Sequence, residues 1–250
     1  MKKILSLVLV ALVMAFAGTA MAASVMDKDV LIVGTESTFK PFEFRSEKNE
    51  IVGFDIDMIN IIAEKLGKKV EIVDMAFDAL IPSLLTGKID VIAAGMSATA
   101  ERAKRVTFSK VYYTTPDAFT VKDGNDTIKS VEDLKGKTAA VQLGTIQDAF
   151  LSQLKGVTVK RYQKTDDAFR EVLLGRADFA CVDGSVTKGN LSKNKDFTGK
   201  LKIAFFHHVS KTGMAYAVNK NQVELADALN KALAEVVNSD TYNELKAKWN

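Results

Sequence analysis

Short apolar runs alternate along the chain with longer stretches whose apolar positions recur at helical spacing. The run at 30–35 reads as a buried strand, and 54–66 as an amphipathic helix closed by Gly67. A second strand is expected at 70–73, a short helix at 80–85 stopped by Gly87, and a third strand at 90–94. The succession starts again with a strand at 138–141, a helix at 146–154, a strand at 157–162, a helix at 167–174 and a strand at 178–182. Helical spacing returns over 222–237 and 242–249. Alternation of this kind predicts an α/β fold with parallel strands and covering helices.

The halves carry an internal echo. Leu85-Thr86-Gly87-Lys88-Ile89-Asp90-Val91 lines up with Leu174-Gly175-Arg176-Ala177-Asp178-Phe179 when the glycines are superimposed. Each reads as a helix end, a glycine C-cap, a basic residue and an Asp opening a buried strand. Turns between helices and strands often look like this, so chance also produces the match; taken as an echo, it predicts two similar lobes. Two extended stretches, 114–122 and 212–219, lie between the halves. Two crossings would return the final helices to the first lobe. Facing lobes place the carboxyl ends of their strands around one cleft, where open α/β sheets bind ligands.

The first 22 residues read as a leader to be removed, not as part of the fold. Lys2 and Lys3 precede an apolar run over 4–16, and Ala20-Met21-Ala22 supplies the small-x-small pattern of a cleavage site. The run is shorter than the ~20 residues a membrane-spanning helix needs, and no cysteine follows it for lipidation. The mature chain is expected to start at 23. Without Lys2 and Lys3 the net charge of +3 falls to +1, which gives no argument for nucleic acid. Cys181 is the single cysteine, so an intrachain disulfide and a cysteine-based zinc module are both excluded.

Candidate chemistry gathers at the predicted strand ends. Ala94-Gly95-Met96-Ser97 offers close backbone approach and a hydroxyl, and Arg102 lies one turn beyond, able to fork onto a carboxylate or simply to sit on the surface. Asp183 closes the last strand of the second half, where it suits an ammonium group or the N-cap of a helix from about Ser185. Gln142, Thr145 and Ile146 surround a helix start whose backbone amides suit an anion. Glu36, Phe39 and Phe42 follow the first strand and Phe77 the second. Phe39 and Phe77 are placed to sandwich a side chain whose polar tip meets Glu36. No catalytic constellation emerges. His207 and His208 are adjacent and lack partners at metal-ligand spacing, so neither metal nor cofactor is expected.

In this setting the chain resembles the polar amino-acid-binding proteins of bacterial ABC importers. The likeness runs in register through Gly34-Thr35-Glu36-Ser37-Thr38-Phe39-Lys40-Pro41-Phe42-Glu43-Phe44, Val52-Gly53-Phe54-Asp55-Ile56-Asp57 and Phe77-Asp78-Ala79-Leu80-Ile81-Pro82-Ser83-Leu84. It continues through Gly87-Lys88-Ile89-Asp90, Thr99-Ala100-Glu101-Arg102 and Val106-Thr107-Phe108-Ser109. The resemblance implies a two-lobed clamp of the periplasmic binding protein type, each lobe a mainly parallel sheet flanked by helices, with two hinge strands. Residues 23–115 with 216–250 would form lobe 1, and 116–215 lobe 2. It implies that Arg102 grips an α-carboxylate, helped by Ser97, the Gly95 backbone and amides near Thr145 and Ile146. Asp183 would accept from the α-ammonium, Phe39 and Phe77 would flank the side chain, and Glu36 and Gln142 would face its far end.

Ala94 and Ile146 stand where related binders often carry hydroxyl residues. Glu36 with Gln142 favours arginine or another cationic amino acid, with glutamine or histidine as alternatives. The implied protein is a monomeric, periplasmic transport receptor for a free L-amino acid, meeting a membrane permease transiently and carrying out no reaction. A cyclohexadienyl-dehydratase-like enzyme on the same scaffold is the competing class, and a sensory receptor a third.

Overall fold

A computed structural model describes residues 24–249, so the expected leader and its cleavage site lie outside the described residues. The apolar first run forms β1 (Val30–Thr35), followed by a small antiparallel sheet of β2 (Thr38–Phe39), β3 (Glu43–Arg45) and β4 (Ile51–Val52). Helix α1 (Phe54–Lys65) then leads to β5 (Lys69–Asp74), α2 (Leu80–Leu85), β6 (Val91–Ile92), α3 (Ala100–Ala103) and β7 (Val106–Phe108). The chain crosses over into β8 (Asp117–Lys122) and β9 (Thr138–Gln142), α4 (Ile146–Gln153), β10 (Thr158–Tyr162) and α5 (Thr165–Leu173). Next come β11 (Phe179–Asp183), α6 (Gly184–Lys193) and β12 (Leu201–His207). It returns through β13 (Ala217–Asn219) to α7 (Val223–Val237) and α8 (Asp240–Trp249).

Two five-stranded sheets result, ordered β5-β1-β6-β13-β7 and β10-β9-β11-β8-β12. Each has a parallel core of three strands, β5-β1-β6 or β10-β9-β11, then one strand running against it, β13 or β8, and an outer strand, β7 or β12, that pairs antiparallel with that one and so runs with the core. The strands that run against the cores, β8 and β13, are those by which the chain enters each lobe from the other. The strand at 201–207 and the small third sheet were not expected from the pattern. β12 alternates weakly, and its register against β8 shifts between Ile203 and Phe205.

Helix α1 buries Phe54, Met58, Ile59 and Ile62 on one stripe, and α7 lays Leu229 and Leu233 against the same core. Each such side chain contributes about 1.5–3 kcal/mol when fully buried. Leu80, Leu84, Ile89, Ile92 and Val106 fill the opposite face of the first sheet. In the second lobe Phe119, Val141, Leu151 and Phe179 form the matching core. Trp249 Nε1 donates to Asp57 Oδ2 over 2.8 Å and ties the last helix to α1.

The internal echo has a structural counterpart. Gly87 and Gly175 take left-handed φ values of 72° and 70° where α2 and α5 end. Asp90 Oδ2 then accepts from Ile32 N at 3.0 Å, and Asp178 Oδ2 from Thr138 N at 2.7 Å. In each lobe the aspartate fastens its own strand segment to the middle strand of the parallel core, β1 or β9. The two crossing segments run side by side: Tyr112 N donates to Met214 O over 3.0 Å and Met214 N to Tyr113 O over 2.8 Å. A Cβ on Gly213 would collide with the Tyr113 carbonyl, so glycine is what lets them touch.

Candidate functional site

The strands' carboxyl ends meet across a cavity between the sheets. Glu36, Phe39, Phe77, Ala94, Gly95, Ser97 and Arg102 line it from the first lobe, and Gln142, Thr145, Ile146 and Asp183 from the second. All eleven residues expected from the sequence therefore border one space. Glu43, Tyr113, Asp117 and Gln147 border it too and were not anticipated.

β1 and β5 end in register at Thr35 and Asp74, and Asp74 organises the loop that follows. It accepts from Ser37 N at 3.0 Å, Ser37 Oγ at 2.7 Å and Arg45 Nη2 at 2.7 Å. This staple holds Glu36 inward. Burial pushes the Glu36 carboxyl up, while hydrogen bonds from Gln142 and Thr38 work against that shift. Thr38 Oγ1 reaches both Glu36 oxygens, at 2.9 and 2.8 Å.

Gly95 has φ 53°, and a Cβ there would stand 2.6 Å from the Phe39 ring. Its amide donates to Asp55 Oδ2 over 2.9 Å. That commits the Gly95 N–H elsewhere, so the backbone help expected from Gly95 toward a carboxylate is not available as a donor. Arg102 is positioned by α3, whose N-cap Thr99 Oγ1 accepts from Arg102 N at 3.2 Å. Its guanidinium donates to Ser97 O at 2.8 Å and, across the cleft, to Gly144 O at 3.0 Å, with Cζ 5.4 Å from the Phe77 ring centroid. Burial lowers its pKa to about 10, which still leaves it cationic at neutral pH.

On the second lobe, Gln142 ends β9, buried, and Thr145 caps α4 by accepting from Asp148 N at 3.2 Å. Thr145 Oγ1 also donates to Gln142 O over 2.8 Å, fixing the strand end to the helix start. Asp183 is the helix N-cap that one of its two sequence readings expected. Its Oδ1 caps α6 by accepting from Ser185 N at 2.8 Å and Val186 N at 3.2 Å, and the residue still borders the cavity. Burial raises its pKa to about 7. Asp117 faces it across the β8–β11 pairing, held by Gln147 Nε2 at 2.5 Å and Val209 N at 3.1 Å. Burial pushes Asp117 up as well.

Among the described residues, hydrogen bonds link the lobes around this space. Besides Arg102 to Gly144, they include Gln142 Nε2 to Glu36 Oε2 at 2.9 Å, Thr165 N to Thr38 Oγ1 at 3.4 Å, and Tyr113 Oη with Ser185 Oγ at 3.3 Å. Among the described residues no cluster of three or more His, Cys, Asp or Glu could hold a metal ion. None of their helices is long and apolar enough to cross a membrane.

Residues 31–250 match the family model described as bacterial extracellular solute-binding proteins, family 3. The chain belongs to that family. Within it, the chain is 37% identical to the arginine-binding extracellular protein ArtP of Bacillus subtilis, covering 100% of this chain and 98% of that one. It is also similar to the structure of an ancestral arginine-binding protein bound to arginine, at TM-score 0.84 and 43% identity, over 89% of this chain and 98% of the other. A third similar structure is the ancestral amino acid-binding protein AncCDT-1, a precursor of cyclohexadienyl dehydratase. It has TM-score 0.81 and 36% identity, over 90% of this chain and 96% of that one. The family is one of two-lobed α/β receptors, and the two sheets flanked by helices are this chain's version of that form.

Proposed function

We propose that the chain is a receptor for a cationic L-amino acid, arginine foremost, which it captures between its lobes and delivers to a membrane ABC permease. The observation that carries this reading is the charge of the cavity wall: the carboxyl groups of Glu36, Asp117 and Asp183 are set against the Arg102 guanidinium. Free arginine brings two cationic groups and one carboxylate. Arg102 would take the carboxylate with the amides at the start of α4, Asp183 the α-ammonium, and Glu36 the guanidinium between Phe39 and Phe77. Buried charges are very costly unless each finds a partner, so a ligand with this charge pattern suits the wall. A glutamine or neutral histidine side chain would leave Glu36 without a cation.

With Arg102 on one lobe and Asp183 on the other, the full set of contacts forms only when the lobes meet. Ligand therefore favours closure, and the permease reads the closed shape. The lobes would move as 23–115 with 216–250 against 116–215. The protein would act as a periplasmic monomer after loss of residues 1–22, binding its ligand without converting it. The names of the similar arginine-binding proteins support this reading.

The test is a thermal-shift panel on the mature chain, unfolded and refolded to strip carried-over ligand. It would use the twenty amino acids, ornithine, citrulline and prephenate. Arginine at 100-fold its dissociation constant should add ~2.7 kcal/mol of stability. A response to glutamine alone would retire the cationic reading, and turnover of prephenate to an aromatic product would retire the receptor.

A further inference from the structure

The floor of the cavity holds buried acid that the ligand reading does not use. Glu43 opens β3 and points inward, only 1% exposed. Neither of its carboxylate oxygens has a hydrogen-bond partner among the described residues, and the same holds for Asp55 Oδ1 and the Tyr216 hydroxyl. Asp55 is otherwise well supplied: its Oδ2 accepts from Gly95 N at 2.9 Å and from Tyr112 Oη at 2.5 Å. The Tyr112 ring stacks on Tyr216, centroids 4.7 Å apart. A Cβ on Gly95 would lie 3.6 Å from Glu43 Oε1, which places Glu43 directly against the Gly95 turn.

The charged groups acting on Glu43 come from three sides, and all are acidic: Asp55 from α1, Glu36 from the loop after β1, and Asp183 from the other lobe. Like charges repel strongly where water is excluded, so Glu43 and Asp55 do not both ionise freely in this chamber. Asp55 has two donors to stabilise its charge, and Glu43 has none. The proton of the pair therefore belongs on Glu43.

We infer that Glu43 is a positioning residue: a neutral, proton-bearing carboxyl in the cleft floor, beside an ionised Asp55 that anchors the Gly95 turn. Burial acts in the same sense, pushing Glu43 well above the usual carboxylate range and Asp55 only to about 6. The floor then carries one negative charge instead of two, and the turn at Gly95 keeps its shape at neutral pH.

The decisive experiment follows the melting temperature of the ligand-free protein from about pH 4.5 to about pH 8.5 for the wild type and Glu43→Gln. A carboxyl with a raised pKa in the folded state loses its stabilising contribution as pH climbs, and glutamine does not titrate. The variant should match the wild type at the acid end and overtake it toward the alkaline end, by about 2–4 °C or more. A gap that stays constant, or a variant that falls behind at high pH, overturns the proposal and makes Glu43 an ionised, partnered group. A second readout is the infrared carbonyl band of a protonated carboxyl: it should persist in the wild type at about pH 8 and be missing from Glu43→Gln, and its absence from the wild type overturns the proposal too.

A binding arm rests on the arginine reading. With L-arginine as the probe, Glu43→Ala should weaken binding about tenfold or more, and Glu43→Gln should restore most of the loss. If arginine does not bind the wild type, the ligand reading fails while the thermal and infrared results still decide this one.

Discussion

Gln142 Nε2 donates to Glu36 Oε2 over 2.9 Å, and this bond joins the rim of the second sheet to the rim of the first. The same amide also donates to Gln163 O at 3.0 Å, and its Oε1 accepts from Thr165 Oγ1 at 3.3 Å. Gln142 is thus held by its own lobe in the pose that meets Glu36. One carboxylate takes part both in lobe contact and in the proposed recognition of a cation.

Glu36→Gln should therefore lower arginine affinity by about 10- to 100-fold while costing citrulline little, because only the charged side chain loses its counter-charge. Gln142→Ala should weaken both ligands about equally, by roughly fivefold to tenfold, because it removes a bond between the lobes. Calorimetry with both ligands separates the two effects. An unchanged arginine-to-citrulline ratio in Glu36→Gln would remove Glu36 from the recognition of charge.

Asp183 sets a pH dependence. Its folded-state pKa of about 7 lies above that of an ordinary aspartate, so the ligand-free protein loses this contribution to stability as pH rises from about 4 through about 7. An ammonium beside the carboxylate would bring the pKa down again, so binding expels a proton near neutrality. Arginine affinity is expected to climb with pH up to about 7 and then level off. Calorimetry in buffers of different ionisation enthalpy should register the released proton, and Asp183→Asn should bind weakly and without that slope. Proton uptake on binding would contradict the assignment.

Gly95 and Gly87 both have positive φ, at 53° and 72°, yet they differ in surroundings. A Cβ on Gly87 meets nothing within 4 Å, whereas on Gly95 it strikes the Phe39 ring at 2.6 Å. Gly87→Ala should cost only the left-handed strain, about 1–2 kcal/mol, with binding retained. Gly95→Ala adds displacement of Phe39 and of the amide that Asp55 accepts, and should lose binding as well as stability. Urea melts paired with arginine titrations make the comparison.

The two echoed aspartates should differ in worth. Asp90 is 5% exposed and adds an ion pair with Lys28 at 2.7 Å, while Asp178 is exposed. Asp90→Ala should cost about 2–4 kcal/mol, because a buried amide and a partly buried ammonium lose their acceptor. Asp178→Ala should cost about 0.5–1.5 kcal/mol. Equal losses in denaturant unfolding would contradict the role given to burial.

That echo shows what a single sequence discloses. Gly87 and Gly175 stop helices through local backbone geometry, and the aspartates that follow act on the neighbouring strand in the same way in both lobes, so the repeat could be read directly. Glu36 and Asp183 were visible because polar residues at strand ends are conspicuous beside apolar runs, and Arg102 because it follows one turn beyond the small residues after such an end. Asp117 was hidden because it reaches the cavity through the β8–β11 register, a pairing between distant segments. Glu43 was hidden inside an aromatic segment, where nothing local tells an inward carboxyl from an outward one. The commitment of the Gly95 amide to Asp55 depends on α1 packing against the β6 end, which no spacing along the chain reveals.

β13 lies between β6 and β7 in the first sheet, although it is made by residues 217–219. Every strand of the second sheet falls within 117–207. A chain delivered from its N-terminus can therefore complete the second sheet while the first still lacks an interior strand and the two helices that cover α1. Until Ala217, Val218 and Asn219 arrive, β6 and β7 have no neighbour to join them. The sheets can thus be completed in the reverse of the order in which they are begun: the half that begins the chain is the half that closes it.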